Sequence, residues 1–275
     1  MQMFRPDRFV HLLLGCLLSI VALAAAGADS IPATGAAAPP PTVLITGASR
    51  GIGFEFAKQF AERGWHVIAT ARDPAGAPEL RALAEQHSNV QAETLDVTNA
   101  QQITALAQRY AGQPVDVLLL NAALGPSMPS AVAPLAKQNF DDAALYFETN
   151  AIGPMRVAQA FMDNVRLSKL KQVIVISSDS GSFVAGSQLP ILYHYKASKA
   201  ALNMYFHTLA FEARKRDVTV VMLHPGAVAT SEQTARLPGA MPTPDSVRQM
   251  LAVIDALSPA DNGRFMDYRG EPMPW

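Results

Sequence analysis

Tyr195 and Lys199 are the two ends of Tyr195-Lys196-Ala197-Ser198-Lys199. On a helix, side chains four apart share one face. A free phenol has a pKa near ~10 and is a poor acid–base catalyst at neutral pH. A lysine cation beside it stabilises the phenolate and lowers that value. Tyr-x-x-x-Lys also arises as an ordinary surface pair. Tyr193 lacks the same partner, because Ala197 stands four residues on. Ser177-Ser178 closes an apolar run. A hydroxyl there can polarise a carbonyl and stabilise developing oxyanion charge, or simply cap a turn. Asn150 lies inside a helical pattern although asparagine is a poor helix former. It either holds a water or interrupts the helix.

A second group of residues could hold a cofactor. The stretch from Thr42 to Gly53 is a short apolar run, then three glycines (Gly47, Gly51 and Gly53), then an amphipathic pattern. That order predicts a strand, a tight turn and a helix. Such a turn brings backbone close to a pyrophosphate and aims a helix N-terminus at its charge. Ser49, Arg50 and Ile52 inside the turn are candidate cofactor residues with the glycines. An NAD site usually has an acidic residue at the end of the second strand, bonded to the ribose. Here Ala71 and Arg72 occupy that region, with Asp73 one step beyond. Arg50 and Arg72 favour a 2′-phosphate, hence NADP(H), unless both are solvated surface arginines. Asp96-Val97 follows the third strand, where the carboxylate could reach an adenine or cap the next helix. Asn121-Ala122-Ala123 follows the fourth, with side chains small enough for a ribose to approach, or for a tight turn. Pro225-Gly226, Val228 and Thr230 follow the sixth, where they could close over a nicotinamide or form a plain turn.

The elements that must position these residues alternate along the chain. Strand patterns cover Val43–Thr46, His66–Thr70, Gln91–Leu95, Val115–Leu120, Gln172–Ile176, Val218–Leu223 and Arg264–Met266. Several are unbroken Val/Ile/Leu runs, as in parallel strands buried on both faces. Helical patterns cover Gly53–Arg63, Ala100–Tyr110, Tyr146–Val165 and Tyr195–Arg214. The alternation predicts a single α/β domain with a doubly wound parallel sheet of about seven strands and helices on both faces. Ligands in such sheets sit at the carboxyl ends of the strands. With 275 residues, 49% of them hydrophobic, the chain can build a sizeable core. A net charge of -1 argues against a nucleic-acid partner. No metal-ligand spacing occurs among the six histidines, and the single cysteine, Cys16, excludes an intrachain disulfide.

The first 41 residues differ in kind. Arg5 and Arg8 precede an apolar run from Phe9 to Gly27, and Ala26-Gly27-Ala28 offers a small-x-small cleavage site. Residues 1–28 thus read as a secretory signal peptide or as an uncleaved anchor, since the run approaches the ~17–20 residues that span a bilayer. Leu13-Leu14-Gly15-Cys16 also resembles a lipobox, although the apolar run continues past the cysteine. Residues 29–41 form an Ala/Pro-rich linker, and the domain occupies 42–275. A cleaved leader places the domain in the periplasm or outside the cell; an anchor holds it on the membrane through residues 9–27.

Together these residues resemble the short-chain dehydrogenase/reductase family. The motifs stand in family order from Thr46-Gly47-x-x-x-Gly51-x-Gly53 through Asp96, Asn121-Ala122-Ala123, Asn150, Ser178 and Tyr195-x-x-x-Lys199 to Pro225-Gly226. His224-Pro225-Gly226, Gly263-Arg264-Phe265 and Pro274-Trp275 look like its C-factor and sniffer-type carbonyl reductase branch. The resemblance implies a Rossmann-type domain that uses NADP(H) to interconvert a carbonyl and an alcohol. Tyr195 would be the acid/base, Lys199 would lower its pKa and bind the nicotinamide ribose, Ser178 would orient the carbonyl, and Asn150 would hold a water. Three departures stand out. Leu120-Asn121-Ala122-Ala123 replaces the usual Asn-Asn-Ala-Gly. Extra residues in Phe183–Leu192 lengthen the step from Ser178 to Tyr195. A leader precedes the first strand. The leader motivates a second reading, a non-catalytic or signalling protein that keeps the dinucleotide as a structural ligand. The segments Phe183–Leu192 and Ala227–Asp245 are apolar, which favours an uncharged carbonyl or alcohol substrate. A homodimer stays open.

Overall fold

Val43 and Ile45 point to one side of their strand and Leu44 to the other, and none of the three has exposed surface. A strand alternates its side chains, so this one must be covered on both faces. A computed structural model describes residues 38–126 and 130–275, of which Pro39–Trp275 form one compact unit. The expected leader at 1–28 lies outside the described residues, as does the expected linker before residue 38.

The strands are β1 (Thr42–Thr46), β2 (His66–Ala71), β3 (Val90–Thr94), β4 (Val117–Leu120), β5 (Gln172–Ile176) and β6 (Thr219–His224). A short pair follows, β7 (Val228–Ala229) and β8 (Met241–Pro242), and then β9 (Phe265–Asp267). The main sheet has seven strands in the order β3-β2-β1-β4-β5-β6-β9, every neighbouring pair parallel. The order reverses between β1 and β4, the place where doubly wound sheets open a ligand crevice. Val43 is registered with Val67 on one side and Val117 on the other, so β1 is central.

The helices are α1 (Gly51–Glu62), α2 (Pro78–Gln86), α3 (Ala100–Arg109), α4 (Ala143–Phe147), α5 (Gly153–Leu167), α6 (Tyr193–Ala213), α7 (Glu232–Ala235) and α8 (Thr243–Ala256). Phe56, Phe60, Leu80 and Met250 from α1, α2 and α8 pack on Val43, Ile45 and Val67. Phe161, Val165, Leu202 and Phe206 from α5 and α6 pack on Leu44, Leu118 and Val175 on the opposite face. Each such fully buried side chain contributes ~1.5–3 kcal/mol of transfer free energy.

One expected helix is not continuous. The pattern over Tyr146–Val165 is broken by a π-helical turn at Glu148–Ile152, between α4 and α5. Asn150 sits in that turn, 1% exposed. The flanking segments each keep helical periodicity, so a pattern read over short windows gives helix on both sides of the π turn. Helix α6 begins at Tyr193, after Leu192 at φ 60°, a left-handed conformation that disfavours branched side chains.

Candidate active site

The end of β5 and the first turns of α6 bring Ser178, Tyr195 and Lys199 together. Ser177 and Ser178 part company there. The Ser177 hydroxyl turns into the core and donates to Asn203 Oδ1 at 2.6 Å. The Ser178 hydroxyl instead donates to Asp179 Oδ1 at 3.0 Å and accepts Ser180 N–H at 3.1 Å, at the side of the site where it favours ionisation of the Tyr195 phenol. Lys199 Nζ lies 5.9 Å from the centre of the Tyr195 ring and donates to the Ile176 carbonyl at 3.0 Å. Lys199 is buried, and burial lowers its pKa to about 8.

The phenol departs from expectation. Its pKa is raised, not lowered: burial dominates, the Ser178 hydroxyl works against it, and the charges of Asp179 and Tyr146 add to the rise. Lys199, one helical turn away, does not outweigh them. Asp179 was not singled out in the sequence, where it is simply the residue after Ser178. Tyr146 on α4 was also missed; its hydroxyl donates to Gly125 O at 3.3 Å. His224, at the end of β6, accepts the Asp179 N–H at Nδ1 (3.1 Å). Burial lowers the His224 pKa while Asp179 and Asp267 raise it.

Asn150 works as a fastener. Its Nδ2 donates to Leu124 O and to Ser198 Oγ, both at 3.0 Å, and its Oδ1 accepts Leu124 N–H at 2.6 Å. Ser198 in turn donates to Tyr195 O at 2.8 Å. The amide thus ties the segment after β4 to the helix turn that carries Tyr195.

The glycine turn lies across the crevice between β1 and β4. Gly47 (φ 72°) and Gly51 (φ 59°) adopt left-handed backbone. A Cβ on Gly47 would stand 2.8 Å from Ala122 Cα, and one on Gly53 2.2 Å from Gly47 O. Asn121 does not face outward. Its Nδ2 donates to Thr46 O and Gly47 O at 3.0 Å, while Thr46 Oγ1 accepts the N–H groups of Asn121 (3.0 Å) and Ala122 (3.1 Å). Helix α1 starts after Arg50 with no side-chain cap, so its first N–H groups keep their capacity for an anion. Ser49 and Ile52 flank that start.

Arg50 and Arg72 are exposed, and neither forms an ion pair among the described residues. Asp73 accepts Gly76 N–H at 2.9 Å, which fixes its own turn. Asp96 accepts from Thr98 N and Thr98 Oγ1, and the cap of α3 is Asn99 instead, with Val97 buried beside Asp96. Beyond β6, Pro225 O accepts Ser246 Oγ at 2.7 Å and Gly226 turns at φ 80° under Tyr268. Val228 is buried, and Thr230 comes over the glycine turn: a Cβ on Gly51 would lie 3.5 Å from its methyl. Ala123, the next residue after Ala122, is exposed. The cradle, the uncapped helix and the two unpaired arginines fit a dinucleotide carrying an extra phosphate on its adenosine ribose.

The chain belongs to the short-chain dehydrogenase family, whose model matches residues 41–239. It is similar to the C-signal protein of Myxococcus xanthus, at 39% identity over 59% of this chain and 93% of that protein. Among solved structures it is similar to an NADPH-bound carbonyl reductase from chicken fatty liver. That match has a TM-score of 0.77 and 31% identity, over 86% of this chain and 99% of the other. The carbonyl reductase Sniffer of D. melanogaster matches with a TM-score of 0.78 and 26% identity, over 86% of this chain and 100% of the other.

Proposed function

We propose that this protein is an NADP(H)-dependent oxidoreductase that interconverts a carbonyl compound and its alcohol. The observation that carries the reading is the placing of Lys199 Nζ 5.9 Å from the Tyr195 ring, with Ser178 at the end of β5, beside a glycine turn that admits no side chain at two of its positions. The similarity to an NADPH-bound carbonyl reductase supports it. When bound, the reduced nicotinamide supplies the hydride. Gly47, Ser49, Arg50, Gly51, Ile52 and Gly53 would hold the pyrophosphate side of the cofactor, Arg72 its 2′-phosphate, and Lys199 its nicotinamide ribose.

The chain's own residues handle the proton. Tyr195 donates its phenolic proton to the carbonyl oxygen during reduction and takes it back from the alcohol during oxidation. A raised pKa keeps that proton in place at neutral pH, which suits the acid role. Ser178 orients the carbonyl, and Lys199 offsets the negative charge left on the phenolate. Asn150 keeps the Tyr195 turn in register with the segment after β4. Phe183, Val184 and Leu189 are 84%, 68% and 63% exposed in the loop that leads from Ser178 to Tyr195. An apolar rim of this kind suits an uncharged, hydrophobic substrate.

Two substitutions test the proposal. Tyr195→Phe should cut carbonyl-dependent NADPH oxidation by at least ~10²-fold, the usual worth of a positioned acid, while calorimetry finds NADPH binding nearly unchanged. Arg72→Asp should weaken NADPH by roughly ten- to a hundredfold and NADH far less, as expected for one lost charge-assisted contact. Equal turnover in wild type and Tyr195→Phe would overturn the role of Tyr195, and no turnover in wild type over a range of carbonyl compounds would overturn the enzymatic reading. That absence of turnover would leave the second reading, a dinucleotide-binding signalling protein, which the likeness to C-signal favours.

A further inference from the structure

We propose that Lys196 is a specificity-determining residue. It clamps the loop that leads from Ser178 to Tyr195 onto helix α6, and so holds the loop's apolar side chains as a wall for the bulky part of an uncharged carbonyl compound. The inference rests on the oxidoreductase reading above and adds a residue to it.

Lys196 follows Tyr195 directly in the chain. Successive residues of an α-helix stand about 100° apart around its axis, so the two side chains leave α6 in different directions. Lys196 Nζ donates to Ser187 O at 2.5 Å and to Leu189 O at 3.0 Å, and its backbone N–H donates to Leu192 O at 2.8 Å. One residue thus grips the loop with both its side chain and its backbone. Among the described residues no other α6 side chain bonds to residues 182–192. Nor does Lys196 form an ion pair there. Its charge is spent on two loop carbonyls, and charge-assisted bonds of that kind are stronger than neutral ones.

The loop is bonded to itself, so a clamp at one end holds the other. Ser182 Oγ accepts the N–H groups of Val184 at 3.1 Å and Ala185 at 2.8 Å. Gln188 Nε2 donates to Phe183 O at 3.3 Å and to Gly186 O at 2.9 Å. Gln188 stands between Ser187 and Leu189, the two residues whose carbonyls Lys196 holds. The tip that this bonding shapes keeps Phe183 and Val184 in solvent, an apolar surface left for something to cover. At its far end the loop reaches the site. Leu192 lines a small cavity with Asn139, Tyr146, His194 and Tyr195, and its N–H donates to Ala131 O at 2.7 Å. Ser178 and Tyr195 flank the loop in the chain, so its wall stands beside a carbonyl held between them. A bulky apolar substituent lies on that wall, and a short-chain aldehyde does not extend to it.

The test compares Lys196→Met, which keeps length and helix propensity but removes the ammonium, with Lys196→Arg, which keeps the charge and the donors. Two readouts are taken on the full chain. The first needs no turnover: amide hydrogen exchange of residues 182–192 without substrate. In Lys196→Met these amides should exchange roughly tenfold faster, the effect of one lost charge-assisted hydrogen bond, and in Lys196→Arg they should stay near wild type. The second is NADPH-dependent reduction of an aryl ketone and of a short-chain aldehyde. Lys196→Met should raise KM for the ketone roughly tenfold, while KM for the aldehyde and kcat for both stay within about twofold of wild type. Unchanged exchange in Lys196→Met would overturn the clamp. Equal changes in KM for the two substrates would overturn the specificity role. So would a fall in kcat for both, which would show Lys196 acting on Tyr195 and not on the loop. Absence of turnover in wild type would count against the oxidoreductase reading, and the exchange readout would still decide whether Lys196 holds the loop.

Discussion

Lys199 is a cation kept where burial works against its charge. Its amine has lost water and gained one carbonyl, Ile176 O, in exchange. Below a pH of about 8 it is charged in both folded and unfolded chains, and the fold bears the full cost of burying it. Between about 8 and the ordinary lysine value of 10.5 the folded chain is neutral there while the unfolded chain still carries the proton. Stability gained from this residue therefore rises with pH through that window. Lys199→Met removes the charge and should stabilise the protein by about 1–2 kcal/mol at pH 7, after allowing for the lost hydrogen bond, while abolishing turnover. Denaturant titrations of both proteins from pH 7 to 10 should show the difference closing as pH rises. A difference that stays constant would mean that folding does not lower the Lys199 pKa. At this scale the Tyr195/Lys199 pair was legible because both members lie on one helix, so their distance follows from spacing alone. Ser178 was not separable from Ser177 in the sequence. What parts them is Asn203, which is remote in the chain and takes the Ser177 hydroxyl into the core.

The π turn between α4 and α5 shows how an element is adapted to a site. An α-helix through residues 148–152 would satisfy its backbone but would rotate Asn150 off the segment after β4. The π turn instead presents its amide to Leu124 and Ser198, and through Ser198 to the backbone of Tyr195. Asn150→Ala leaves the N–H and the carbonyl of Leu124 without their partner. It should cost ~1–3 kcal/mol, read as a lower denaturation midpoint, and should lower kcat more than it changes NADPH affinity. A stability loss with unchanged kcat would confine Asn150 to a packing role. The sequence exposed the oddity, an asparagine in a helix, but not its resolution. A π turn is set by the tertiary partners of its side chains, and Leu124 and Ser198 are both distant in sequence.

For the molecule as a whole, the strand-and-helix alternation could be read directly because buried parallel strands such as Val117–Leu120 are unbroken apolar runs. Their order in the sheet could not, since every such run offers the same two apolar faces. β7 and β8 are two residues each and leave no periodic trace. The glycine turn joins more of the fold than its motif suggests. It binds β1, the end of β4 and the start of α1 into one jammed unit, with Gly47 against Ala122 and Gly53 against both Gly47 O and Asn121 Nδ2. Position 51 is different: a Cβ there would only touch Thr230 at an ordinary 3.5 Å, and the main restriction is its left-handed backbone, which asparagine tolerates. A saturation library at 47, 51 and 53, selected for soluble folded protein with no NADP(H) supplied, should return glycine at 47 and 53 and glycine or asparagine at 51. Free variation at 47 or 53 would show that the crowding can relax. If glycine returns, two of the three motif glycines are inherited for architecture, and a descendant that had abandoned its chemistry would carry them still.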